Sequence, residues 1–204
     1  MQYTIIEDCS PFFIRFTFDG LGEIIDYVKE NSNNVMFEQK FFEYLHQNLT
    51  HEVSDVLINM LPMKSQFDFN RDRVALFTTQ PGAGCGIHKD GANCKVSLNI
   101  PVQVSDDKCI TYWYDDSTFA NSTVSGMPYG RIISRWNGAE IESIQKTPNI
   151  KTMNARDNEM VLFNTDIYHS WDNAQSSNIR KLLTLRILDM SLGFDDVKKI
   201  IFGL

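Results

Sequence analysis

Residues 86–102 read GIHKDGANCKVSLNIPV, and the order of residue types in that stretch governs how the rest of the chain is read. Its first half sets His88 and Asp90 two positions apart, just after the Gly-rich turn Pro81-Gly82-Ala83-Gly84. In extended backbone, residues i and i+2 point to the same side. An imidazole and a carboxylate are then presented together while Lys89 faces away. The second half alternates Ser97 and Asn99 with Leu98 and Ile100, the period of a strand with one buried face.

Outward from this stretch the chain is rich in short apolar runs separated by turns. Val74–Thr79, Lys95–Val104, Cys109–Tyr114, Arg131–Trp136, Ile150–Asn154, Met160–Phe163 and Lys181–Leu188 read as strands. Several short strands with irregular connections predict a sandwich or jelly roll and not βαβ units. Upstream, Tyr3–Glu7 and Phe12–Phe18 also read as strands. Glu23–Asn31, Phe37–Asn48 (Phe41, Leu45 and Leu49 at helical spacing) and Glu52–Leu61 after the cap Thr50 read as helices. Phe194–Phe202 reads as a short closing helix. The expectation is a mainly β fold with flanking helices and a helical N-terminal part. Residues 1–204 are read as one domain, with a core at roughly 72–190.

Composition narrows the class. The 204 residues carry 43% hydrophobic and 22% charged side chains, ordinary for a globular chain, with a net charge of −7. An acidic chain with a sequence pI near 5.0 advertises no basic face for phosphates, which argues against a nucleic-acid partner. No signal-peptide pattern or bilayer-length apolar run is legible, so a soluble cytoplasmic protein is expected. Cys9, Cys85, Cys94 and Cys109 form no CxxC pair and read as free thiols.

Of the four histidines, His46 and His51 are five apart on the expected helical region and read as surface or packing residues. That leaves His88 and His169. Two imidazoles and the Asp90 carboxylate on one face of an iron leave three positions open for a chelating co-substrate and O2. No cysteine belongs to the set, which argues against structural zinc. Eleven residues after His169 stands Arg180, whose fixed fork of donors matches a carboxylate in two-point fashion. Thr184 shares its strand face. Each of these residues has an ordinary structural role available to it; the ordered series His-x-Asp, His, Arg favours the metal reading.

With those residues in view, the chain resembles the 2-oxoglutarate/iron(II)-dependent dioxygenases of the prolyl-hydroxylase-like superfamily. The likeness lies in Gly86–Val102, in Met160–Thr165 leading to His169, and in Arg180, within roughly residues 72–190. It implies a double-stranded β-helix (a cupin-like jelly roll) and oxidative decarboxylation of 2-oxoglutarate to succinate and CO2, coupled to oxidation of a C–H bond. It implies Fe(II), 2-oxoglutarate and O2, with ascorbate as a stimulant. By motif position His88, Asp90 and His169 are the implied iron ligands and catalytic residues. Arg180 is the implied clamp of the far 2-oxoglutarate carboxylate, and Ser97, Asn99 and Thr184 are further co-substrate contacts.

Arg186, six residues beyond Arg180, gives an Arg-x5-Arg spacing similar to that of the AlkB-like nucleic-acid dealkylases, and leaves open which arginine is the clamp. Arg180 is favoured as the one nearest the loop end where the metal would lie. A small molecule or peptide side chain is the expected substrate. The alternatives are a nucleic-acid dealkylase and a non-catalytic metal-binding jelly-roll module. Tyr112, Trp113 and Tyr114 are candidates for the pocket lining, Trp171 and Asn173 for support of His169, and Asp115–Tyr129 for a long loop over the site.

Overall fold

The computed structural model describes residues 3–40, 44–90, 94–104, 108–115, 117, 148–173 and 175–204. The expected strand Arg131–Trp136 and almost all of the loop Asp115–Tyr129 lie outside them. Strands β1 (Thr4–Cys9), β2 (Phe13–Thr17), β3 (Val35–Lys40), β4 (Tyr44–Leu49), β5 (Ala75–Thr79), β7 (Val96–Gln103), β10 (Met160–Asn164) and β12 (Arg180–Arg186) form one eight-stranded antiparallel sheet. Its order is β1-β2-β10-β7-β12-β5-β4-β3. Strands β6 (Gly84–His88), β8 (Ile110–Trp113), β9 (Lys151–Asn154) and β11 (His169–Asp172) form a second sheet, in the order β6-β11-β8-β9.

Strand periodicity divides the large sheet into two faces with different work. On β7 the apolar Leu98 and Ile100, and on β12 Leu183 and Leu185, turn to a buried face that also takes Ile14, Phe16, Leu76 and Leu162. Three helices cover that face: α1 (Leu21–Asn31), α2 (His51–Met60) and α3 (Phe194–Phe202). α1 buries Leu21, Ile24, Ile25 and Val28, the i, i+3, i+4, i+7 set of one helical stripe. α2 starts where Thr50 accepts a hydrogen bond from the Val53 N–H. α3 buries Phe194, Val197 and Ile201, and the Asp196 carboxylate accepts from the Gly193 N–H at 2.9 Å. None of the described helices is long and apolar enough to cross a membrane.

The opposite face of the large sheet looks toward the small sheet. At one end of that space Phe13, Val161, Phe163, Trp113 and Met153 pack as a second cluster, with Trp113 stacked on Phe13 at 5.1 Å. The remainder of the space is a cavity.

One helix expected from sequence does not form. Residues 37–40 and 44–48 instead belong to the antiparallel strands β3 and β4, in which Phe37 pairs with Asn48 and Lys40 with Leu45. The spacing of Phe41, Leu45 and Leu49 is four, an even number, so these positions share a strand face as readily as a helix face. The N-terminal part is therefore not mainly helical. It adds four strands, β1 to β4, to the large sheet as well as α1 and α2.

Candidate metal centre

His88 closes β6 and His169 opens β11, and the two are direct cross-strand partners, with a register shift next to them in which Gly86 and Ile87 of β6 stand against Ser170 alone. Their rings lie 4.4 Å apart between centroids. β6 ends at His88, so strand alternation does not govern the next residues, and the expectation that Lys89 faces away fails. Lys89 lines the cavity with its Nζ 4.6 Å over the Tyr168 ring. Asp90 is brought back to the histidines by its N–H, which donates to Thr165 O at 3.2 Å; Thr165 N–H in turn donates to Lys95 O at 3.0 Å.

In this arrangement Asp90 Oδ1 lies 3.4 Å from His88 Nε2 and 3.9 Å from His169 Nε2. The three ligand atoms fall within 4.8 Å of one another, a group fit to hold a metal ion. The imidazoles are aimed by their own backbone: His88 Nδ1 donates to Gly86 O at 2.7 Å and His169 Nδ1 to Ile167 O at 2.8 Å. Each Nδ1 is thereby committed as donor, which leaves the Nε2 atoms to face Asp90.

Electrostatics accompanies this geometry. Burial alone would raise the Asp90 carboxyl, but the His88 hydrogen bond and the charges of His169, His88 and Arg186 hold it well below the usual carboxylate range. Burial pushes His169 down to about 4, aided by the neighbouring His88. Burial acts on His88 in the same sense, but Cys85 and Asp90 overcome it and raise His88 well above its ordinary value. The trio near neutrality is an anionic carboxylate, one neutral imidazole and one protonated imidazole.

His88, Asp90 and His169 stand at one end of a cavity of about 360 Å³, whose lining also includes Ser97, Asn99, Thr184, Arg180 and Arg186. Their shared face follows from register: Thr184 pairs with Asn99, and Arg186 with Ser97. The reason for favouring Arg180 as the arginine nearest the metal is overturned. Arg186 is the near one, with Nη2 3.4 Å from Asp90 Oδ2. Arg180 sits six residues away, roughly 20 Å of strand at 3.3 Å per residue, beside Thr79. Its guanidinium lies 5.6 Å over the Trp171 ring and its side chain is buried. Arg180 Nε, Thr79 Oγ1 and Asn99 Oδ1 are buried with no hydrogen-bond partner among the described residues.

Several other expectations resolve differently. Trp113 and Tyr114 are fully buried packing residues, the latter sharing a 2.7 Å hydrogen bond with Ser170, and among the three aromatics none lines the cavity. Trp171 does line it. Asn173 ties loops together instead, donating to Gln80 O and Asn178 O at 3.1 Å each. His51 pairs with Asp72 at 2.6 Å at the start of α2. His46, set aside from sequence as a helical residue, lies on β4 and lines the cavity with Tyr44 and Phe77. Its signal was available in the alternation Tyr44, His46, Asn48.

No protein-family model and no curated protein matches the chain. Solved structures do. A crystal structure of a 2OG-Fe(II) oxygenase family oxidoreductase from Burkholderia pseudomallei shares 9% identity, with 88% of this chain and 85% of that one covered and a TM-score of 0.56. The fold is that of the 2-oxoglutarate/iron(II) oxygenases. The same oxygenase fold is met in HygX from Streptomyces hygroscopicus, solved with nickel, 2-oxoglutarate and hygromycin B. That comparison gives 10% identity, coverage of 85% and 81%, and a TM-score of 0.53. The epimerase SnoN, in complex with Fe3+, alpha ketoglutarate and nogalamycin RO, gives 10% identity, coverage of 87% and 78%, and a TM-score of 0.56.

Proposed function

We propose that this chain is an iron(II)- and 2-oxoglutarate-dependent dioxygenase that hydroxylates a small molecule. The observation that carries the reading is a cavity with His88, Asp90 and His169 at one end and a buried arginine lacking a carboxylate partner among the described residues at the other. The donor set fits the ion: two imidazole Nε2 atoms and one carboxylate suit iron(II) and leave positions for a chelating acid and O2. The structural neighbours bound to metal, 2-oxoglutarate and small molecules support the same assignment by likeness of fold. The reading includes a single domain, built as a double-stranded β-helix, and a cytoplasmic location.

When bound, iron(II) with 2-oxoglutarate and O2 supplies the oxidising equivalent for a C–H bond while the acid is split to succinate and CO2. The chain's own residues bind and orient. Arg180 holds the far carboxylate of 2-oxoglutarate by a two-point contact, with the Asn99 amide and the Ser97 and Thr184 hydroxyls as further polar partners along the floor. Arg186 fixes Asp90 through Oδ2, so that Oδ1 alone is turned to the histidines. Phe163, edge-on to His169 at 5.0 Å, keeps that side of the centre dry.

The test is succinate release from 2-oxoglutarate with Fe(II), ascorbate and O2. Turnover is expected from the parent chain and is expected to be abolished in His88→Ala. A parent chain that binds metal but releases no succinate sinks the enzyme reading in favour of a metal-binding module.

A further inference from the structure

The cavity has a second wall, which meets the proposed co-substrate place only where Arg180 lies 5.6 Å over the Trp171 ring. His46 on β4 stacks on Phe77 of β5 with centroids 4.7 Å apart and planes 1° from parallel. Tyr44, two residues from His46 on the same strand face, stands 5.9 Å from Phe77 and 5.7 Å edge-on to Trp171. All four rings line the cavity, and all four are only partly buried. Trp113, a true packing ring in the same fold, is 0% exposed. Rings that pack a core are closed over; these leave apolar surface open to the cavity.

A flexible C5 dicarboxylate makes no use of such a surface, because its two charged ends take the metal end and Arg180. At about 360 Å³ the cavity is in the range of roughly 300–1,000 Å³ that takes drug-sized ligands, so a C5 diacid fills it only in part. Aromatic walls recognise flat unsaturated rings by offset or edge-on stacking. They also attract cations, but the charge of this cavity opposes that choice. Arg180 and Arg186 stand against Asp90, the single carboxylate among the described lining residues. Burial, with Arg186 next in weight, lowers His46 below its ordinary value, so this ring joins the wall uncharged. The wall reaches from the metal end, where Trp171 is two residues from His169 and Arg186 bears on both His46 and Asp90, to the Arg180 end, where Tyr44 pairs with Thr79 and Thr79 with Arg180.

We infer that Tyr44, His46, Phe77 and Trp171 form the prime-substrate subsite, and that the substrate is a flat aromatic small molecule carrying no positive charge. This inference rests on the dioxygenase reading above and adds the class of substrate to it. It also gives the β3–β4 hairpin a role, as the element that carries half of the subsite to the rim of the large sheet.

The test uses protein loaded with Fe(II) and saturating 2-oxoglutarate under nitrogen, and three probes of similar size. These are 2-naphthoate, its saturated analogue decahydro-2-naphthoate, and 2-naphthylmethylammonium. Calorimetric titration is expected to show naphthoate binding at least about tenfold tighter than either of the others. His46→Ala should weaken naphthoate about three- to tenfold, the size of one lost aromatic pair, while His46→Phe retains it. Equal binding of the three probes overturns the inference. So does an oligonucleotide carrying 1-methyladenine that stimulates succinate release where naphthoate fails to bind. Unstimulated succinate release without naphthoate binding sinks the subsite alone. Absence of succinate release under every condition sinks the dioxygenase reading and the inference with it.

Discussion

Asp90 and Arg186 divide the carboxylate between two tasks: Oδ1 faces both imidazoles, while Oδ2 takes the Arg186 guanidinium at 3.4 Å. A carboxylate tethered in this way offers a metal one oxygen and keeps a coordination position clear. Loss of the tether frees Oδ2 to chelate and close that position. Arg186→Met is therefore expected to retain metal but to lose about 10–100-fold in 2-oxoglutarate turnover, as metal-supporting residues commonly do. Succinate release at saturating Fe(II) reads the effect. Turnover within a factor of about two of the parent would show that Asp90 needs no such support.

Metal affinity should depend on pH in a way set by the two histidines. His88 is raised well above its ordinary value and His169 is lowered to about 4. Between these limits the free site carries one proton, on His88, and a metal must displace it. Protons and metal compete for the same nitrogen, so affinity falls as pH falls, by about tenfold per unit. Below about 4 His169 also takes a proton and the slope steepens. Anaerobic Fe(II) calorimetry in buffers of different ionisation enthalpy should count one proton released at pH 6. A count of zero would be incompatible with a protonated His88.

The grouping of His88, Asp90 and His169 was legible because histidine is scarce, with four in the chain, and β6 and β11 bring His88 and His169 into register. The β7 and β12 alternation was also legible, since Leu98, Ile100, Leu183 and Leu185 mark one face and leave Ser97, Asn99 and Thr184 on the other. What failed has a common physical source. Spacing of four satisfies both helix and strand, so Phe41, Leu45 and Leu49 hid the hairpin that brings His46 to the cavity. The nearness of Arg180 to His169 in sequence misled in space. β12 runs antiparallel to β7, and it is the Arg186 end that returns to Ser97 and Asp90. Lys89 escapes the strand alternation because β6 stops at His88.

Arg180 predicts a split between binding and chemistry. Its buried Nε has no hydrogen-bond partner among the described residues, and Thr79 Oγ1 nearby is in the same position. A dicarboxylate that meets the guanidinium loses a charge-assisted pair when the arginine is truncated, which costs about 2 kcal/mol or more. Arg180→Ala should then raise the KM for 2-oxoglutarate on the order of 30-fold or more, while Fe(II) affinity holds. Arg180→Lys keeps the charge but not the fork and should recover only part of the loss. An unchanged KM in Arg180→Ala, with a raised KM in Arg186→Met, would transfer the clamp to Arg186.

Away from the cavity, the buried pair Arg15–Glu159 should control stability without touching the metal. Arg15 Nη2 lies 2.6 Å from Glu159 Oε2, the side chains are 4% and 3% exposed, and Nη1 reaches Glu7 at 3.1 Å. Burial raises the Glu159 carboxyl even though Arg15 pulls it down, a sign that desolvation is the larger influence on this group. Removing only the arginine strands a carboxylate in that setting, where breaking a buried pair costs about 3–5 kcal/mol. Arg15→Met is expected to lose that much in urea unfolding. Replacing both, as Arg15→Met with Glu159→Leu, should recover most of it, because no charge is then left buried. If the double variant is as unstable as the single one, packing of the arginine stem and not the charge pair holds β2 against β10.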